Sequence, residues 1–284
     1  MEKTNNPVWF ITGCSTGFGR ELAKLILKRG WNAVVTARNA DQVKDIVAGY
    51  EKTSLVIALD VTQKDQVKAA VAKAEETFGQ IDVLVNNAGY GYFTSIEEGE
   101  EEKIRAQFET NFFGLVNVIQ AVLPAMRERK SGHIINFSSI GGLMAFTATG
   151  YYHATKFAVE GLSESLSKEV APFGVKVIIV EPGPFRTDWS GRSTSDTPTK
   201  IAAYEETVGT RMKAAKSGSG KQIGDPVRGS EAIIQAVEAK DHQLRLLLGK
   251  PAFDMAFKKI NELNENFNAW KDLTLGADFP ENEA

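Results

Sequence analysis

Val8-Trp9-Phe10-Ile11-Thr12-Gly13-Cys14-Ser15-Thr16-Gly17-Phe18-Gly19 decides how the rest of the chain is read. The four apolar residues at its start suit a short strand buried on both faces. Glycines follow at 13, 17 and 19. Leu22, Leu25 and Ile26 then recur at helical spacing until Gly30 stops the pattern. Strand, glycine turn and helix, in that order, make a phosphate cradle. Glycines let the backbone approach a pyrophosphate, and the helix start offers free N–H groups and a partial positive charge. The spacing is Gly-x-x-x-Gly-x-Gly rather than Gly-x-Gly-x-x-Gly, so an ordinary glycine turn is the competing account. Cys14 reads as a small buried spacer, with a reactive thiol near a helix start as the alternative.

The same alternation continues outward. Further strand-like runs lie at about 33–37, 55–59, 81–85, 133–137, 175–180 and 244–248. Helical patterns fall at about 63–78, 100–129, from about Tyr152 through Val170, 226–240 and 252–270. Seven strands alternating with helices predict an α/β fold of Rossmann type, a doubly wound seven-stranded parallel sheet with helices on both faces. In such folds ligands meet the strand ends. The second strand ends at Ala37-Arg38, where a guanidinium suits a ribose 2′-phosphate better than a free 2′-hydroxyl; a solvated arginine is the alternative. The third ends at Asp60-Val61, where Asp60 reaches an adenine amino group or caps the next helix. The fourth ends in Asn86-Asn87-Ala88-Gly89, and asparagine amides pin neighbouring loops. Asn111 lies among apolar residues and needs partners.

A second stretch carries the chemistry. Tyr152 and Lys156 stand four apart, so a helix puts them on one face, one turn from each other. A unit charge about 4 Å away at an effective dielectric of roughly 20 is worth about 4 kcal/mol. The ammonium is therefore expected to pull the phenol down by up to roughly three pKa units, toward the range where a general acid–base works. Ser139, at the end of the 133–137 strand, reaches the same point from the sheet side.

Composition excludes other classes. The 284 residues are 43% hydrophobic, enough for a core on both faces of a sheet, and the net charge is −3. No basic stripe marks a nucleic-acid footprint. No apolar run approaches the ~18 residues of a membrane span, and the polar start at 1–7 has no signal-peptide core. One cysteine and three scattered histidines form no metal-ligand cluster. A cytoplasmic location fits the lone cysteine. The segment at about 188–224 is polar at both ends, with Ile201, Tyr204, Val208 and Met212 at helical spacing between, and reads as a substrate lid or a surface insertion. The polar tail from Gly276 is expected to fray.

Thr12-Gly13-x-x-x-Gly17-x-Gly19, Asn86-Asn87-Ala88-Gly89, Asn111, Ser139, Tyr152-x-x-x-Lys156 and Pro182-Gly183 together resemble the classical short-chain dehydrogenase/reductase family over about residues 8–250. Thr-Gly-Cys-Ser-Thr-Gly-Phe-Gly and Pro-Gly-Pro-Phe-Arg-Thr-Asp look most like the subgroup similar to 17-beta-hydroxysteroid dehydrogenases. The resemblance implies one domain over 1–284, with a lid at about 188–224 and a C-terminal helical extension at about 250–284. It also implies hydride transfer between NAD(P) and an alcohol/carbonyl pair. Tyr152 would be the proton donor, Lys156 the residue that tunes it and binds the nicotinamide ribose, and Ser139 the oxyanion partner. Asn111 would hold a water linked to Lys156. Gly13, Ser15, Thr16, Gly17, Phe18, Gly19, Arg38, Asp60, Val61, Asn87, Ala88, Gly89, Pro182, Gly183, Phe185 and Thr187 would line the cofactor. Thr16 stands where NADP-preferring members often carry a basic residue, so a preference for NADP(H) leans on Arg38, helped by Ser15. Tyr90, Tyr92, Leu143, Met144, Phe146 and Trp189 are the expected substrate walls, suited to a bulky apolar ketone or alcohol. An acyl-thioester (3-oxoacyl) reductase, or a non-catalytic dinucleotide-sensing regulator, is the alternative function. A homodimer or homotetramer through the two long helices is the family's usual assembly.

Overall fold

Strand β1 (Val8–Ile11) is buried along its whole length and pairs on both edges, which puts it mid-sheet. The computed structural model describes residues 6–191 and 194–279; residues 1–5 of the polar start and 280–284 of the tail lie outside the described residues. After β1 come α1 (Gly17–Lys28), β2 (Asn32–Ala37), α2 (Lys44–Val47), β3 (Ser54–Ala58), α3 (Lys64–Phe78), β4 (Val83–Asn86) and β5 (Gly91–Phe93). Then follow α4 (Glu101–Phe108), α5 (Gly114–Arg129), β6 (Gly132–Phe137), α6 (Gly150–Val170), β7 (Val175–Pro182) and β8 (Thr194–Asp196). The chain ends with α7 (Thr210–Ser217), α8 (Pro226–Glu238), β9 (Arg245–Leu248), α9 (Lys250–Ala269) and α10 (Lys271–Leu275).

The main sheet is seven-stranded and parallel, in the order β3-β2-β1-β4-β6-β7-β9. Side chains alternate across it, as the two-residue repeat of a strand requires. Phe10, Leu84, Ile134 and Val177 point to the face covered by α3, α5 and α6, where they meet Val67, Val118 and Val159. Trp9, Ile11, Val85 and Ile135 point to the other face and meet Leu22 and Ile26 of α1 and Ile233 of α8. The winding reverses between β1 and β4, so a crevice opens beyond their C-terminal ends.

Two features depart from the sequence reading. The helix expected over about 100–129 is broken into α4 and α5 by a π-helical turn at Glu109–Phe113, with Asn111 inside it. Such turns concentrate at functional sites. The second is a small parallel ribbon in which β5 pairs with β8. It ties the chain just after Asn86-Asn87-Ala88-Gly89 to the polar segment at 188–224. Within that segment Val208 and Met212 are buried with Phe93 and Ala148.

Candidate active site

The glycine turn is held from beneath. Asn87 Nδ2 donates to the carbonyls of Thr12 (2.8 Å) and Gly13 (3.0 Å), while the Thr12 hydroxyl accepts from the N–H groups of Asn87 (2.9 Å) and Ala88 (3.0 Å). A Cβ on Gly19 would lie 2.5 Å from Asn87 Nδ2 and 2.6 Å from the Gly13 oxygen, so this close approach needs glycine. Gly13 and Gly17 have φ of 71° and 60°, which a glycine adopts without strain. Thr16 caps α1 with no side-chain bond to the first-turn N–H groups, so those donors face the crevice. Cys14 is fully buried, its thiol donates to the Ile11 carbonyl, and burial pushes it up to about 12; it is a spacer and no nucleophile. Phe18 packs between Phe137 and Phe185 at 5.3 and 4.9 Å.

Farther along, Arg38 is exposed beside the crevice and has no ion pair among the described residues. Asp60 spends one carboxylate oxygen on the N–H (3.0 Å) and hydroxyl (2.8 Å) of Thr62, which shapes the turn into α3. Both residues line the crevice with Val61, Ser15, Gly89, Pro182, Gly183, Phe185 and Thr187. The free first-turn donors, the glycine surface and the cationic end fit a dinucleotide. Arg20, which sequence reading passed over, also lines it and is held by Asp45.

Tyr152 and Lys156 lie on the first turns of α6, both buried. The Lys156 ammonium sits 5.7 Å from the centre of the Tyr152 ring and donates to the Phe137 carbonyl at 2.7 Å. Ser139 comes from the end of β6; its hydroxyl accepts from Gly141 N–H at 3.0 Å and faces the Tyr152 phenol. The electrostatics correct the sequence reading. Burial pushes the phenol up to about 12, and only the hydrogen bond with Ser139 pulls it the other way. Burial also pushes Lys156 down to about 8, opposed by the Glu160 carboxylate one turn on. Desolvation dominates both groups, and the ammonium is tethered to a backbone carbonyl rather than to the phenol oxygen.

Asn111 is clamped. Its amide donates to the Tyr90 carbonyl (2.9 Å) and Thr155 hydroxyl (3.1 Å), and its oxygen accepts from Tyr90 N–H (2.9 Å). The Asn111 side chain is thus held by protein groups on both its oxygen and its nitrogen. A Cβ on Gly89 would come 3.1 Å from the Asn111 oxygen and 3.8 Å from the Lys156 nitrogen, so Asn111, Gly89 and Lys156 are packed together.

The glycine turn, Arg38, Asp60, Gly89, Ser139, Tyr152 and Lys156 open on one cleft of about 2240 Å³, with Asn111 buried behind it. Trp189 packs at a tilt against Tyr152 at 5.0 Å and Phe93 at 5.8 Å, and Tyr90 and Phe146 also line the cleft. Three expected wall residues do not. Tyr92 is wholly buried, with its hydroxyl bonded to Thr197 at 2.7 Å and to Glu100 N–H at 3.1 Å, because β5 turns alternate side chains inward. Leu143 and Met144 instead pack against the cluster that Ile140 forms with Ala252 and Ala256 of α9. Met255 of α9 lines the cleft in their place. His153 was also missed. Its Nδ1 faces the Gly141 carbonyl at 2.9 Å, and its Nε2 accepts from Phe146 N–H at 3.0 Å. Burial lowers its pKa, so a neutral ring braces the loop before Tyr152. In that loop Ala148 holds φ of 70°, uncommon for a non-glycine residue. Nothing in the adjacent sequence signals either feature.

The short chain dehydrogenase family profile matches residues 7–198. The chain belongs to the short-chain dehydrogenase family. It is accordingly an oxidoreductase. Among its relatives, the oxidoreductase BOA17 of Botryotinia fuckeliana is 38% identical over 271 residues, covering 95% of this chain and 98% of that one. A 3-ketodihydrosphingosine reductase of Bacteroides thetaiotaomicron is 36% identical over 250 residues, 88% of this chain and 90% of that one. A crystal structure of a short-chain dehydrogenase from Streptomyces avermitilis superposes with a TM-score of 0.91 at 38% identity, over 96% of this chain and 99% of that one. Solved members of the same fold carry NAD in one case and NADP in others. The histidines and Cys14 form no metal-binding group among the described residues, and no described helix is long and apolar enough to cross a membrane.

Proposed function

We propose that this short-chain dehydrogenase transfers a hydride between NADP(H) and a bulky apolar ketone or secondary alcohol. One observation carries the reading: Ser139, Tyr152 and Lys156 meet in the same cleft as the glycine cradle. Bound NADP(H) would supply or take up the hydride there. Tyr152 gives its proton to the carbonyl oxygen, and the high phenol pKa keeps that proton available at neutral pH. The Ser139 hydroxyl, anchored by Gly141, hydrogen-bonds the developing alkoxide. Lys156 holds the nicotinamide ribose and feeds protons to the phenol, with Asn111 and Gly89 fixing its surroundings. Arg38, which has no ion pair among the described residues, would take the 2′-phosphate, with no carboxylate at Ala37 to oppose it.

The aromatic wall of Trp189, Phe93, Phe146 and Tyr90 supports an apolar substrate, and the relative named for a ketosphingoid base supports a long-chain ketone. We assign the chain to the subgroup similar to 17-beta-hydroxysteroid dehydrogenases on its Thr-Gly-Cys-Ser-Thr-Gly-Phe-Gly and Pro-Gly-Pro-Phe-Arg-Thr-Asp wording. The chain acts as one domain, with 188–224 as a lid hinged beside the β5–β8 ribbon and 250–284 as a C-terminal extension, in a cytoplasmic homo-oligomer. The test is a panel of ketones, aldehydes, sugars, acyl thioesters and alcohols with NADPH, NADH or their oxidised forms, read by absorbance. Fastest turnover of a bulky apolar carbonyl with NADPH is expected. A sugar or thioester as best substrate would overturn the substrate class.

A further inference from the structure

Helix α9 is fastened at its start and bare beyond. Ala252 and Ala256 are buried against Ile140 and its neighbours. From Leu263 to Phe279 every residue is exposed. Yet this helix is not polar all round. Phe253, Phe257, Ile260, Phe267 and Trp270 are each more than half exposed, and Leu263 more than a third. Their spacing of three and four residues puts them along one side, a stripe about 26 Å long at 1.5 Å per residue. The rings of Phe253 and Phe257 already touch each other at 4.7 Å. Isolated exposed apolar residues are ordinary, but a continuous stripe marks a surface that is covered in use.

We propose that α9 is a self-association surface, covered by α9 of a second copy lying antiparallel about a two-fold axis between Ile260 and Leu263. Two features choose this occupant. The stripe reads nearly the same in both directions: the axis that sets Ile260 opposite Leu263 also sets Phe253 opposite Trp270, and it brings Phe257 opposite Asn266, one residue from Phe267. The charges are also complementary under that operation. The first half of α9 carries Lys250, Lys258 and Lys259 with Asp254; the second carries Glu262 and Glu265. Antiparallel pairing lays the basic half of each helix on the acidic half of the other, whereas parallel pairing opposes like charges. An isologous two-fold contact requires such self-complementarity. A helix that lies on a membrane surface instead carries a basic polar face, and here the charges cancel.

The test uses the full chain. Phe257→Asp with Phe267→Asp should halve the mass measured by light scattering, with turnover per protomer within about two-fold of the parent as the sign of an intact fold. Single-cysteine variants check the geometry independently; Cys14 is buried and does not compete. Ile260→Cys lies near the axis and should be captured as a dimer by a short bismaleimide, whereas Phe253→Cys, about 26 Å from its symmetry mate, should not. Capture of both would mean a parallel pair, and capture of neither, or an unchanged mass in the aspartate variant, would overturn the proposal. Sedimentation of the parent, and not of the aspartate variant, with neutral or anionic lipid vesicles would assign the stripe to a membrane and overturn it as well.

Discussion

The ammonium of Lys156 donates to the carbonyl oxygen of Phe137 across 2.7 Å, joining the first turns of α6 to the end of β6. One hydrogen bond to a neutral carbonyl does not replace the water a buried ammonium has lost, and this is why burial pushes Lys156 from 10.5 down to about 8. The unfolded chain keeps the proton up to about 10.5 and the folded chain only up to about 8. Between those values the unfolded state binds more protons, so folding stability from this group rises with pH. The full penalty, about 3 kcal/mol at about 1.4 kcal/mol per pKa unit, applies below pH 8. Lys156→Met removes the titration. Urea unfolding should therefore find the variant's stability relative to the parent highest near pH 7 and falling toward pH 10. A difference that does not change with pH would mean that the ammonium is not desolvated.

Tyr152→Phe removes the proton donor and keeps the ring between Lys156 and Trp189. It should lower kcat by at least ~100-fold, the usual scale of lost general acid–base catalysis, with cofactor affinity nearly unchanged. Tyr151 is the control: its hydroxyl donates to the Ile96 carbonyl at 2.7 Å, away from the cleft, and Tyr151→Phe should be mild. In the cofactor-free enzyme the phenolate absorbance lost in Tyr152→Phe should appear in the parent only toward pH 12, since burial holds the phenol there. Full turnover by the phenylalanine variant would remove the tyrosine from the chemistry.

The fold was legible because each strand announces itself twice, as an apolar run and by the helix that follows. The glycine cradle was legible for the same reason. The walls of the cleft were legible only in part: Tyr90, Phe146 and Trp189 line it as expected, and Tyr92, Leu143 and Met144 do not. Tyr92 and Phe93 are adjacent and both aromatic, yet β5 sends one into the interior and the other toward Trp189. The partner of β5 lies about a hundred residues on in β8, and no local pattern foretells that pairing. Leu143 and Met144 were misplaced because α9, which covers them, comes from the far end of the chain. The phenol's pKa was misjudged because spacing gives the distance to a charge but says nothing about the water excluded around both groups.

A buried carboxylate network offers a second pH test. Arg245 of β9 bonds Glu181 of β7 at 2.7 Å and also holds Glu160 of α6. Burial, and then the Glu160 charge, raise Glu181 from 4.5 to about 7. Between those values the folded state holds the extra proton, so this group's contribution to stability falls as pH rises through that window. Glu181→Gln cannot ionise. It should gain on the parent between pH 5 and pH 8 in thermal unfolding, and match it most closely at the acid end. Arg245→Met should do the reverse. It leaves two carboxylates without their cation, at a cost of about 3–5 kcal/mol for a broken buried pair, and the loss should be greater at pH 8 than at pH 5. Parallel pH profiles for all three proteins would show that Glu181 stays ionised throughout.

Arg38 decides the cofactor in the reading proposed above. It stands at the end of β2, exposed, with no carboxylate paired to it among the described residues, and Ala37 beside it offers none. A guanidinium free of internal partners can give its N–H groups to a 2′-phosphate and lay its plane near the adenine. A charge-assisted contact of this kind is worth roughly 1.5–3 kcal/mol. At about 1.4 kcal/mol per tenfold, that predicts a preference for NADPH over NADH of about ten- to a hundred-fold in kcat/KM. Arg38→Ala should erase most of it by weakening NADPH alone. Ala37→Asp should reverse it, because the new carboxylate repels the phosphate and accepts from a free 2′-hydroxyl. Measuring kcat/KM for both cofactors in the parent and the two variants checks all of this. Equal losses with both cofactors in Arg38→Ala would make the arginine structural, and a parent that prefers NADH would refute the assignment.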